Sequence, residues 1–148
     1  MARARAGSRC GQRGEWGTRE GVCAVEINKD YLRHIGERAA HEKLANIRTI
    51  LGKPDDPLLA AKSVDAVLLL KTYHEIAAPI AVLRHVRAAM RPGARLGIID
   101  RNGTGADHGL NEDVVMKETA RAGFRLLERY DFVKGDGMDY FLIFSAAK

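Results

Sequence analysis

The sequence predicts an α/β fold built on a mostly parallel β-sheet. Short, continuously apolar runs alternate with segments whose apolar residues recur at helical spacing, which is the pattern of repeated β–α units. Capping and turn residues stand at the junctions, and the last two apolar runs are separated by a loop short enough for an antiparallel hairpin. The chain has 148 residues, 46% of them hydrophobic, which suits one core and leaves no room for a second.

The elements follow in order. Residues 21–27 (Gly-Val-Cys-Ala-Val-Glu-Ile) form a short apolar run ending in an acid, as expected of a buried strand whose carboxyl end meets a site. Asn28 is placed to cap a helix over Lys29–Glu42, with Tyr31, Leu32, Ile35 and Ala39 on one face. Asn46–Leu51 supplies Ile47, Thr49 and Ile50 as strand formers, and the Gly52–Pro57 segment that follows is loop punctuation. Val64–Leu70 is the most apolar run and is expected to be a central strand. Pro79–Met90 places Ile80, Leu83, Val86 and Met90 on a helical face, with Pro92-Gly93 as a stop, and Arg95–Asp100 is the next strand. Asn111 caps a helix to Ala122, with Gly123 beyond its end. Phe124–Val133 and Tyr140–Ser145 are the closing strands, joined through Lys134-Gly135-Asp136-Gly137. Units of this kind predict a sheet covered by helices on both faces, with ligands beyond the carboxyl ends of the strands.

Residues 1–20 stand apart from the α/β segment 21–148. They contain five arginines, several glycines and no Val, Ile or Leu, so they offer no buried strand and form an irregular basic segment. They also carry +3 of the net charge of +5. The remainder is close to neutral, a weak footprint for a nucleic-acid surface. No run approaches 18 apolar residues and no secretory h-region is present, so neither a membrane span nor an exported chain is expected. Two cysteines close at most one disulfide and lack metal spacing, so a cytoplasmic setting and no metal site are expected. His34, His41, His85 and His108 have no ligand-spaced partner along the chain and are read as non-catalytic.

The residues after each strand carry a resemblance. Val64–Ile76 (VDAVLLLKTYHEI), Leu83–Asp100 (LRHVRAAMRPGARLGIID), the Ala122–Glu128 stretch (AGFRLLE) and the final YFLIF strand closely resemble the second half of class I S-adenosylmethionine-dependent methyltransferases. The resemblance covers about residues 21–147 and implies a Rossmann-like methyltransferase fold with an antiparallel C-terminal strand. It implies S-adenosylmethionine as cofactor and methyl transfer, with a small-molecule acceptor expected; the near-neutral charge and the hydropathy argue for neither nucleic-acid nor membrane partners. Glu26 matches the acid that binds the ribose hydroxyls, a task suited to a group with two acceptor oxygens. Ile27, Gly52, Lys53, Asp55 and Lys71 complete the implied cofactor contacts, with Lys53 standing where an acid is usual and Asp55 as the substitute. Tyr73 and His74 match the wall between cofactor and acceptor. A histidine there can take a proton from an oxygen or nitrogen acceptor, and Asp100, beside Arg101, can orient that acceptor. Tyr73, His74 and Asp100 are therefore the expected catalytic residues.

The family's first strand and its glycine-rich turn have no counterpart in residues 1–20. Gly7, Gly11, Gly14, Gly17 and Gly21 fall at the wrong spacing, and a βαβ unit needs about 30 residues or more. The first βα unit is expected to be absent, leaving two strands with unpaired edges and a route to edge-to-edge homodimers. A shortened or frame-shifted reading of a longer gene would produce such a start and an inactive chain. The alternatives are a non-catalytic methyltransferase-fold remnant serving as an interaction module and a nicotinamide-dependent dehydrogenase, whose ribose also suits an acid after the second strand.

Overall fold

The structure is a computed structural model that describes residues 21–104, 106–132 and 134–148. Segment 1–20, with the glycines and the first βα unit discussed above, lies outside the described residues apart from Gly21.

Two parallel strands and a helix open the fold. β1 (Val22–Glu26) pairs with β2 (Ile47–Leu51) so that Glu26 stands opposite Leu51. Between them runs α1 (Lys29–His41), capped as expected: the Asn28 side-chain oxygen accepts from the backbone N–H groups of Asp30 (2.9 Å) and Tyr31 (3.3 Å). Burial in this unit is slight, with only Ala39 and Ile50 inside among the described residues and Tyr31 65% exposed.

The second sheet holds the core. β3 (Val64–Leu70) lies parallel to β4 (Met90–Arg101), which pairs antiparallel with β6 (Asp139–Ala146), itself antiparallel to β5 (Phe124–Tyr130), giving the order β3-β4-β6-β5. Leu96, Ile98 and Asp100 alternate along β4 onto one face, opposite Phe144, Leu142 and Tyr140 of β6. Helices α2 (Pro79–Ala89) and α3 (Glu112–Arg121) cover that face with Val82, Leu83, Val86 and Val115. The closing hairpin is thus antiparallel, as the short loop predicts.

Three differences from expectation have physical causes. β3 is an edge strand rather than a central one among the described residues, because β1 and β2 form a separate sheet and no described strand lies between β1 and β3. Among the described residues, helices α2 and α3 cover one face of the four-stranded sheet. Leu68 and Leu70, on the other face, are 57% and 56% exposed. Finally, Pro92-Gly93 does not separate helix from strand: β4 starts already at Met90, and the register shift between Val64 and Ala66 absorbs the extra residues as a bulge in which Gly93 takes φ +82°.

No helix among the described residues is long and apolar enough to cross a membrane.

Candidate active site

The carboxyl ends of β1 and β2 bring the expected cofactor residues together. The Gly52 N–H donates to the Glu26 carbonyl (3.0 Å), which sets Glu26 and Ile27 beside Gly52 and Lys53. Glu26 Oε1 accepts from the N–H groups of Ile27 (2.7 Å) and Asn28 (2.9 Å), fixing the carboxylate at the strand end. Oε2 makes no hydrogen bond to described residues. Gly52 is closely packed: a Cβ there would stand 3.0 Å from Val25 Cγ1 and 3.4 Å from the Asp56 carbonyl oxygen. The loop closes by reciprocal backbone bonds between Lys53 and Asp56 (2.7 and 3.2 Å). Lys53 and Asp55 both lie exposed on it.

The ends of β3 and β4 build a second cluster. Lys71 turns the chain with φ +54° while its N–H still donates to the Ile99 carbonyl (2.8 Å), and a 3₁₀ turn over Tyr73–Glu75 crosses the end of the sheet. There His74 meets Asp100. The imidazole Nδ1 lies 2.9 and 3.0 Å from the two Asp100 oxygens, and the His74 backbone N–H donates to the same carboxylate (3.1 Å). The Arg101 N–H adds a further bond (2.9 Å). Asp100 is fully buried and the His74 side chain is 8% exposed. A carboxylate only accepts, so Nδ1 carries the proton in this pair and Nε2 of a neutral ring is left with its lone pair.

Several expected roles need correction. Tyr73 is not at the mouth: its ring is 1% exposed and its hydroxyl donates to Glu118 Oε2 of α3 (2.7 Å). Burial first, and that hydrogen bond second, hold the phenol far above its ordinary range, so it is a core residue. Asp100 cannot touch an acceptor, because its parity with Leu96 and Ile98 places it on the helix-covered face. Its side-chain partner is the His74 ring. The Lys71 ammonium is engaged by buried Asp139 (2.5 Å), which removes its side chain from cofactor binding. Arg101 is exposed at the rim, its guanidinium reaching Met138 Sδ (3.2 Å).

The fold also supplies partners that spacing along the chain did not show. The loop after β4 returns His108 to His74, with ring centroids 6.3 Å apart in an edge-on arrangement. Donor atoms of His74, Glu75 and His108 lie within 4.8 Å of one another. The signal available in the sequence was His108-Gly109, since Gly109 is packed so closely on β4 that a Cβ would come within 2.7 Å of the Arg101 carbonyl oxygen.

Comparison with known proteins places these clusters in a family. A family model described as a methyltransferase domain matches residues 7–98, more than half of the chain and beginning ahead of β1. No curated protein matches the sequence. Among solved structures, a methyltransferase from Aquifex aeolicus, described as S-adenosylmethionine-dependent, superposes with a TM-score of 0.77 at 20% identity, over 86% of this chain and 70% of that one. The methyltransferase CalH, solved with S-adenosylhomocysteine, gives 0.71 at 14% identity, over 86% and 43%. The [4+2]-cyclase SpnF gives 0.73 at 11% identity, over 86% and 67%, so this architecture is not tied to one reaction. The fold is the Rossmann-like methyltransferase fold, and by its matched domain the chain belongs to the methyltransferase-domain family.

Proposed function

We propose that this chain binds S-adenosylmethionine at the ends of β1 and β2 and transfers its methyl group to a small-molecule acceptor beside His74. The observation that carries the reading is Glu26, a carboxylate fixed by two backbone N–H groups at the end of a parallel strand, with Oε2 open for ribose hydroxyls. The crowded Gly52 leaves the neighbouring loop close to the Glu26 backbone, and Ile27, Lys53 and Asp55 are exposed on the rim where an adenine edge would lie. These features fit the cofactor. When bound, it supplies an electrophilic methyl on a sulfonium, for which in-line positioning is the main catalytic demand.

The chain's own residues then do two things. Glu26 and the Gly52 loop orient the donor, and His74 Nε2 accepts the proton that an oxygen or nitrogen acceptor releases as its bond to the methyl forms. Asp100 is the positioning residue for this step, holding the tautomer at Nδ1 and stabilising the imidazolium. The alternative, an interaction module without catalysis, draws on the exposed β3 edge with Leu68 and Leu70.

Calorimetric titration with S-adenosylhomocysteine separates the two. Saturable binding is expected, weakened at least about ten-fold in Glu26→Ala, the loss of a charge-assisted hydrogen bond. A folded protein that does not bind, or a variant that binds equally well, overturns the reading.

A further inference from the structure

We infer that His74, Glu75 and His108 form a binding site for one divalent transition-metal ion of the zinc class at the mouth above β3 and β4. The three donor groups already lie within 4.8 Å of one another, with His74 Nε2 and Glu75 Oε1 3.9 Å apart. Ligand atoms of a tetrahedral zinc ion, at about 2.0 to 2.2 Å from the metal, stand about 3.4 Å apart. The remaining contraction involves His108 as well as Glu75, and both side chains are exposed and able to turn toward an ion. Two imidazoles and a carboxylate suit zinc, iron, nickel or copper rather than magnesium or calcium.

An independent feature points the same way. His74 is oriented as a metal-ligating histidine is, with its Nδ1–H given to a buried carboxylate so that Nε2 faces outward as a donor. The Asp100 carboxylate is itself fixed by the backbone N–H groups of His74 and Arg101, so the imidazole is held in that orientation by a rigid partner.

Described residues on either side of His108 are tied down by hydrogen bonds. Leu110 N–H donates to the Arg101 carbonyl (2.8 Å), and Glu112 N–H to Asn102 Oδ1 (3.0 Å). The Tyr140 hydroxyl donates to the Leu110 carbonyl (2.8 Å), and Thr104 N–H to Asp107 Oδ1 (2.9 Å). That last bond is the main reason the Asp107 carboxyl is held below its usual range. His108 itself takes φ +56°, a backbone conformation maintained by these bonds and by the Gly109 contact.

Three protein ligands leave one position of a tetrahedral ion open toward the mouth, where an oxygen of the acceptor would bind. This role for the ion rests on the methyl-transfer reading, whereas ion binding itself does not. His74 Nε2 has a single lone pair, so with an ion bound it is a ligand and no longer a proton acceptor; the ion would hold the acceptor oxygen directly and lower its pKa, and the proton would leave to solvent water before the methyl is transferred.

The test is titration of the full chain with Zn²⁺ by calorimetry and with Co²⁺ by visible absorption, beside His108→Ala, Glu75→Gln and, as control, His34→Ala on α1. One ion per chain is expected, with tetrahedral Co²⁺ bands, an affinity at least ten-fold weaker in His108→Ala and Glu75→Gln, and no change in His34→Ala. His108 and Glu75 are both exposed, so their variants should keep the wild-type circular dichroism. Absence of binding, or equal binding by folded His108→Ala, overturns the site. S-adenosylhomocysteine titration of the same samples keeps the outcomes apart, since zinc binding without cofactor binding retains the metal site and rejects the methyl-transfer reading.

Discussion

The α1–β1–β2 unit and the four-stranded sheet divide the molecule's tasks unequally. In the first unit only Ala39 and Ile50 are buried among the described residues, and the functional groups hang on backbone bonds: Glu26 on the N–H groups of Ile27 and Asn28, Gly52 on the Glu26 carbonyl. In the second, a continuous cluster from Tyr73 through Leu83, Leu96, Ile98 and Val115 to Phe144 packs two helices on the sheet, and it immobilises His74 through Asp100. Hydrophobic burial therefore sets stability mainly in the sheet that carries the proposed acceptor side, while the proposed cofactor side depends on local hydrogen bonding.

The largest expected effect tests that division directly. Leu83→Ala removes a fully buried side chain and is expected to cost about 3 kcal/mol in urea unfolding. Ile50→Ala is expected to cost less, about 2 kcal/mol, because the exposed surroundings of β2 can relax around the gap. Equal losses would break the contrast between the two regions.

A smaller effect sharpens the reassignment of Tyr73. Replacing it with Phe deletes the hydroxyl bonded to Glu118 and is expected to cost about 1 kcal/mol of stability, with S-adenosylhomocysteine affinity and methyl-transfer rate unchanged. A rate loss without a stability loss would return Tyr73 to the acceptor wall.

The smallest effect belongs to the surface pair at the start of α3. Nε and Nη2 of Arg129 donate to the two Glu112 oxygens (2.6 Å each), and this bonding holds the Glu112 carboxyl below its usual value. A depressed carboxylate contributes stability above its unfolded value, near 4.5, and loses it as pH falls through the folded value. Because Arg129 is half exposed, Arg129→Ala is expected to lower the urea midpoint only slightly at neutral pH, and not measurably in acid. A difference that persisted at acid pH would assign the effect to packing of the arginine stem.

Most elements were legible because their signals are local. Val64–Leu70 is a strand over the expected residues, Asn28 and Asn111 cap the helices they were expected to cap, and Gly123 follows α3 with φ +88°. The proposed cofactor residues were legible as strand-end residues. The roles of Tyr73, Lys71 and Asp100 were not, because each is decided by a partner far along the chain: Glu118, Asp139 and His74. For Asp100 one signal was overlooked, its two-residue parity with Ile98 and Leu96. His108 was set aside because ligand spacing is a local test, and its neighbour is brought to it by the fold.

The sequence by itself determined the α/β class, the order of the elements, the antiparallel ending and the strand-end acid Glu26, since apolar periodicity and capping chemistry act within a few residues. Tertiary structure alone decided which face of the sheet is covered, that β3 is an edge among the described residues, and which polar groups meet. Those outcomes depend on contacts between residues 25 to 70 positions apart, whose pairing is fixed only when the strands take their register.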